Sequence, residues 1–417
     1  MRTYRDLFRS PEFTPLFATS SAQVGATTLS GLALGTLVYA ATRSPLLSAL
    51  SMFGPSLAQL VGATTLLSAA DRLPPRAAIS VICLADALGT AALAIPGLPV
   101  WGLFAIVLGL GVISSLGGGV RYGLLNEILS RDGYLLGRAV LNMAVGAMQI
   151  AGFAAGGVML AFLSPRGTLL AGALLYLVAA AVAQAGLSRR PPRAAGRPTI
   201  GQTWRTNALL WTSRPRRYVY LALWLPNGLI VGCESLFVPY APRHAGLLFA
   251  FAALGMLAGD TVTGRFVPPR WRRGLDAPLR LLLAAPYLVF ALHPALPLAV
   301  AAVTVASFGY SATLLLQHRL MALTPEELSG HALGLHSSGM LAMQGVGAAL
   351  AGAVAQQTSP AIAMTVMAAA SVTVTVLLMR GLRAGTVPLP PAAAVPGRPA
   401  ATRASGTGAA ENPAAGR

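Results

Sequence analysis

The stretch ISVICLADALGTAALAI, from Ile79 to Ile95, is an almost unbroken apolar run with one carboxylate, Asp86, near its centre. An α-helix crosses a hydrocarbon core of about 30 Å with about 20 apolar residues, so the run reads as a membrane span. The same pattern recurs along the chain. Of 417 residues, 55% are hydrophobic and only 10% charged. A soluble domain carries about 25% charged residues. So little charge cannot cover a water-facing surface of ordinary area, and the chain reads as an all-α, multi-pass membrane protein.

Twelve spans follow from the pattern, at 14–40, 46–69, 76–96, 100–124, 138–163, 167–187, 217–240, 245–266, 278–296, 297–317, 331–356 and 360–380. Only HPALP, His293 to Pro297, separates the ninth from the tenth. The arginines orient them. One set of loops holds Arg72 and Arg76, Arg131 and Arg138, the series from Arg189 to Arg217, and the cluster Arg265, Arg270, Arg272, Arg273 and Arg280. The loops between hold only Arg43, Arg166 and Arg243. Cationic loops stay in the cytoplasm, so both termini are expected there, in the plasma membrane. This also accounts for the net charge of +18 without nucleic-acid binding.

The chain contains no lysine. That excludes a Walker A phosphate loop and a lysine Schiff base, so energy would come from a gradient or a partner. Cys83 and Cys233 fall inside spans as packing residues. His318, His331 and His336 fall at span ends with no acid or cysteine at ligand spacing, so no metal or other cofactor is expected. With no HExxH pair and no nucleophile motif, an intramembrane enzyme is not expected either.

The spans group as an N-terminal half (1–190), a basic central loop (191–216), a C-terminal half (217–383) and an Ala/Pro/Gly-rich disordered tail (384–417). The halves repeat. An ungapped alignment of GRAVLNMAVGAMQIAGFAAGG with GHALGLHSSGMLAMQGVGAAL superposes Gly137 on Gly330, Gly146 on Gly339 and Gly152 on Gly345. TPEE, with Thr324, Pro325 and Glu327, reads as a capping box at the entry to the eleventh span.

Two six-span halves joined by a basic loop resemble the major facilitator superfamily. LLSAADRLPPR resembles that family's loop between the second and third spans, matching at Asp71, Arg72 and Arg76, with Leu67 and Pro74 where glycines are expected. GMLAGDTVTGR in the second half keeps Asp260 and Arg265. Such loops would gate, locking helix ends by charged hydrogen bonds and releasing them as the halves rock. GFAAGG, with Gly152, Gly156 and Gly157, is similar to the glycine-rich fifth-span motif of drug–proton antiporters, with Phe153 in the place of its proline. GGGVRYGLLNEILSRDGYLLGRA resembles the macrolide- and siderophore-exporter branch. The chain departs from drug–proton antiporters in lacking a first-span acid and a mid-membrane arginine in the fourth span.

A site at the midplane between the halves is what the resemblance implies. Asp86 lies ten residues past Arg76, about 15 Å deep, where a charge costs at least ~2.5–3.5 kcal/mol. It must face a wet cavity or be protonated and hydrogen-bonded, and is the first candidate for substrate binding or proton coupling. Glu234, in the outer third of the seventh span and on one face with Asn227, is the second. Thr19, Gln23, Thr27 and Ser30 form one polar face of the first span. Gln23, Asn227 and Gln344 are assigned to the cavity wall. Arg121, 20 residues past Trp101, is placed near the cytoplasmic surface as a helix-end lock. The expected function is secondary transport, as a monomer, of a small amphipathic molecule, with efflux coupled to protons. The alternatives are a nutrient-uptake permease, or a degenerate transporter acting as a sensor or scaffold.

Overall fold

The computed structural model describes residues 4–70, 74–191, 200–325 and 328–384. Twelve of its helices are long and apolar enough to cross a membrane. They are labelled α1 (Phe13–Thr42), α2 (Pro45–Ala70), α3 (Pro75–Leu93), α4 (Val100–Ile128), α5 (Arg131–Phe162), α6 (Pro165–Gly186), α7 (Arg214–Tyr240), α8 (Ala245–Phe266), α9 (Gly274–Leu292), α10 (Leu296–Ala322), α11 (Ser329–Gln357) and α12 (Pro360–Ala384). The described residues contain no strand. Prolines at the first turn open α3, α6 and α12, where a missing N–H costs nothing. The Ser164 hydroxyl accepts from the Gly167 N–H at 3.1 Å to cap α6.

α1–α6 pack among themselves, as do α7–α12, and two broad helix pairs join the groups, α2 with α11 and α5 with α8. With an even number of spans, α1 begins and α12 ends at one face of the bundle, here called the terminal face. At the other face the halves join. Gly157 of α5 meets Gly246 of α8, and Gly352 of α11 meets Leu46 of α2. Phe153 stacks on Phe249 with ring centroids 4.5 Å apart. The Ser44 hydroxyl donates to Gln356 Oε1 at 2.8 Å. An apolar cluster crosses the seam there and includes Leu32 of α1 with Cys233, Leu236 and Phe237 of α7. At the terminal face the clusters stay separate. One contains Leu7, Phe13, Leu125 and Leu187, and the other Val219, Tyr220, Leu320 and Leu382.

The repeat is present but in a different register. A side chain at Gly152 would meet the backbone of Gly25 in α1, and one at Gly347 the backbone of Gly228 in α7. Gly157 faces the first turn of α8, and Gly352 the first turn of α2. Gly152 therefore corresponds to Gly347, two residues beyond Gly345, where the ungapped alignment placed it. That alignment counted glycines and ignored which face each one occupies.

The central segment, expected as a loop, contains a helix, Ile200–Thr212. It docks by burying Leu210 and stacking Trp211 on Tyr220 and Trp224 of α7. GMLAGDTVTGR, expected as a loop, is also helical. Asp260 lies inside α8, and Arg265 is exposed in a π-helical turn at its end. Asp71, Arg72, Glu327 and the tail from 385 lie outside the described residues.

Candidate functional site

A cavity of about 210 Å³ lies inside the first half, between α1, α3 and α4. Its polar walls are Gln23 and Thr27 from α1, Asp86 from α3, and Ser114 and Arg121 from α4. The spacing puts them together. Ser114, Gly117, Gly118 and Arg121 recur at helical intervals on one face of α4, and the glycines leave room beside the guanidinium. Asp86, near the middle of α3, is 7% exposed and accepts from the Ser114 hydroxyl at 3.4 Å. Arg121 Nη2 donates to Gln23 Oε1 at 2.9 Å. Thr27 donates to the Gln23 carbonyl at 2.8 Å, or shares its proton with the Tyr176 hydroxyl, also at 2.8 Å. Among the described residues no ion pair joins Asp86 to Arg121. Two opposite charges thus share one cavity, each tied to a neutral side chain.

A larger groove of about 430 Å³ runs between α3 and α6. It is nearly all apolar and carries exposed Val81, Leu84 and Leu177, as a lipid-facing groove would.

Arg121 lies two turns before the end of α4, and its guanidinium meets Gln23 of α1 rather than another helix end. Arg121 is level with Gln23, ten residues into α1. The fourth span therefore carries an arginine that faces a cavity. Arg190 holds the helix ends instead, 2.9 Å from Glu12 and 3.9 Å from Glu127.

Asn227 does not line this cavity. It is buried, and its amide donates to the Leu223 carbonyl at 2.7 Å and to Thr313 of α10 at 3.2 Å. Glu234 is half-buried at the last turn before α7 bends, among Cys233, Leu236 and Phe237, and no partner for it occurs among the described residues. Gln344 meets the Ser56 hydroxyl at 3.5 Å across the seam between α11 and α2. Arg76 Nε donates to Gln184 of α6 at 3.2 Å, inside one half. One carboxylate oxygen of Asp260 is buried without a hydrogen-bond partner among the described residues. Gly152 and Gly156 bring α5 against α1, and Gly157 brings it against α8. His336, expected at the interface, is buried, with Nε2 3.0 Å from Gln317 Nε2. Sequence reasoning missed Ser114 and Tyr176. The seven-residue interval from Ser114 to Arg121 was the available signal for the first.

No family model and no curated protein matches the chain. Solved structures do. A nucleoside transporter, NupG, superposes with a TM-score of 0.71 at 14% identity, covering 89% of this chain and 99% of that one. A POT family transporter in complex with 5-aminolevulinic acid gives 0.72 at 11% identity, covering 90% and 96%. A bacterial homolog of the human lysosomal transporter Spinster, inward-facing and unoccupied, gives 0.67 at 13%, covering 90% and 96%. The chain has the major facilitator fold. Within that fold, the two halves described above are its six-helix repeats, and the cavity lies in the first of them.

Proposed function

We propose that the chain is a secondary transporter that carries a small amphipathic solute out of the cytoplasm across the plasma membrane, acting as a monomer. The observation that carries this reading is the cavity itself, lined by the buried Asp86 and by Arg121 inside a helical bundle. A charge at that depth costs at least ~2.5–3.5 kcal/mol unless it is matched, and such groups mark solute and ion pathways. The arginine-rich loops make the terminal face cytoplasmic. The halves are joined at the opposite face, so solute enters from the cytoplasm and leaves after the halves rock apart. Asp86 is the coupling group in this scheme. Its charge is matched by a proton in one state and by a cationic part of the solute in the other.

The test is flux in reconstituted vesicles with an imposed proton gradient, comparing wild type with Asp86→Asn. Gradient-driven flux that the substitution abolishes supports the reading. Wild-type flux that persists unchanged in Asp86→Asn removes Asp86 from coupling. A folded wild-type protein that moves no solute leaves the sensor or scaffold reading in its place.

A further inference from the structure

We infer that the cavity selects solutes carrying a cationic and an anionic group on one short apolar frame, rather than lipophilic cations. The inference rests on reading this cavity as the transport site.

Three features of the cavity carry it. First, Asp86 and Arg121 both line it, and among the described residues neither is neutralised by the other or by a third charge. Asp86 holds one long hydrogen bond from Ser114, at 3.4 Å, and Arg121 one from its Nη2 to the neutral Gln23. A guanidinium has five donors, so the bond to Gln23 leaves four for an incoming acceptor. A carboxylate with a single donor keeps most of its acceptor sites for an ammonium group. A solute bearing only a positive charge would leave Arg121 without a counter-charge, and one bearing only a negative charge would leave Asp86 to be matched by a proton, whereas a solute with both charges matches both groups at once.

Second, the two groups form no ion pair and are anchored at different levels: Asp86 is bonded to Ser114, and Arg121 is rooted two turns further along α4, about 10 Å of helix rise, and bonded to Gln23 of α1. A solute whose charged ends are separated suits this arrangement better than an α-amino acid does. Third, Val24, Ile82, Gly117 and Gly118 line the cavity together with the polar side chains, so its mixed wall offers apolar surface for a few methylenes beside the charged groups. The volume of about 210 Å³ is below the 300–1,000 Å³ typical of drug-sized sites. An α,ω-amino acid fits these three features together, with its ammonium on Asp86 and its carboxylate on Arg121.

The experiment is calorimetric titration of the full-length protein in nanodiscs at neutral pH, with empty nanodiscs subtracting partition into lipid. The probes are the straight-chain α,ω-amino acids of four to eight carbons, each beside the amine and the fatty acid of the same length. The expected result is a member of the series that binds about ten-fold or more tighter than both its amine and its acid. Asp86→Asn then removes its advantage over the acid, and Arg121→Gln its advantage over the amine. The inference is overturned if no amino acid in the series exceeds its singly charged analogues, a comparison that needs only the wild-type protein. It is also overturned if the preference survives both substitutions. Binding selectivity without vesicle flux would overturn the transport reading and leave the two-charge site standing. Flux of singly charged solutes alone would do the reverse.

Discussion

The two halves share an architecture and treat buried acids in opposite ways. In the first half, Asp86 faces a cavity with a hydroxyl, an amide and a guanidinium around it. In the second, Glu234 sits beside an aromatic and aliphatic cluster that includes Phe237 and Tyr287, and Asn227 spends its amide on its own helix and on α10. The same packing rule, small residues letting helices touch, produces both environments. What differs is α4. Its glycines at 117 and 118 leave space beside Arg121, whereas Gly309 of α10 is filled by the α9 backbone at Leu279 and Leu283. A duplicated bundle can thus keep one half as a packed support and open a cavity in the other.

The largest expected effect breaks the cavity. Asp86→Asn or Arg121→Gln removes a charge-assisted contact to the solute, worth about 1.5–3 kcal/mol, or roughly ten- to a hundred-fold in affinity. Titration of the purified variants reads it directly. The next effect concerns the seam. A Cβ at Gly246 would lie 2.5 Å from the Gly157 Cα. Gly246→Leu is therefore expected to cost about 1–3 kcal/mol in the form joined at the non-terminal face. The readout is faster maleimide labelling of Ser44→Cys from outside the cell in the Gly246→Leu background. Unchanged labelling would mean that this face is not where the halves part.

Smaller effects sharpen the contrast. Ser44→Ala deletes the exposed bond from the turn between α1 and α2 to Gln356 across the seam, worth at most about 0.5–1.5 kcal/mol and measurable as a modest drop in thermal stability. Glu234→Gln, remote from the cavity, is expected to leave solute preference within about two-fold, as for independent sites. A ten-fold change in preference would put Glu234 in the solute site and make the halves equal partners.

Much of this was legible in the sequence. The apolar runs mark all twelve helices, and the isolated acid of ISVICLADALGTAALAI is the Asp86 that lines the cavity. That Arg121 lines the cavity was not legible, because residue counting gives a depth but neither the face of α4 it occupies nor its neighbour Gln23. Asn227 reads as a cavity-wall group and His336 as an interfacial one. Partners on α10, Thr313 and Gln317, absorb them, and contacts between distant segments leave no trace in one sequence. The repeat was visible, but its register depends on which neighbour each glycine touches.

The most direct test of the central claim uses Thr27, which is exposed on the cavity wall. With Cys83 and Cys233 replaced by alanine, Thr27→Cys is treated with a membrane-impermeant maleimide from each side in turn. Reaction from the cytoplasmic side, at a rate far above that from outside, is the predicted result. Labelling from the outside alone, or from neither side, would contradict a solute cavity open to the cytoplasm in the first half.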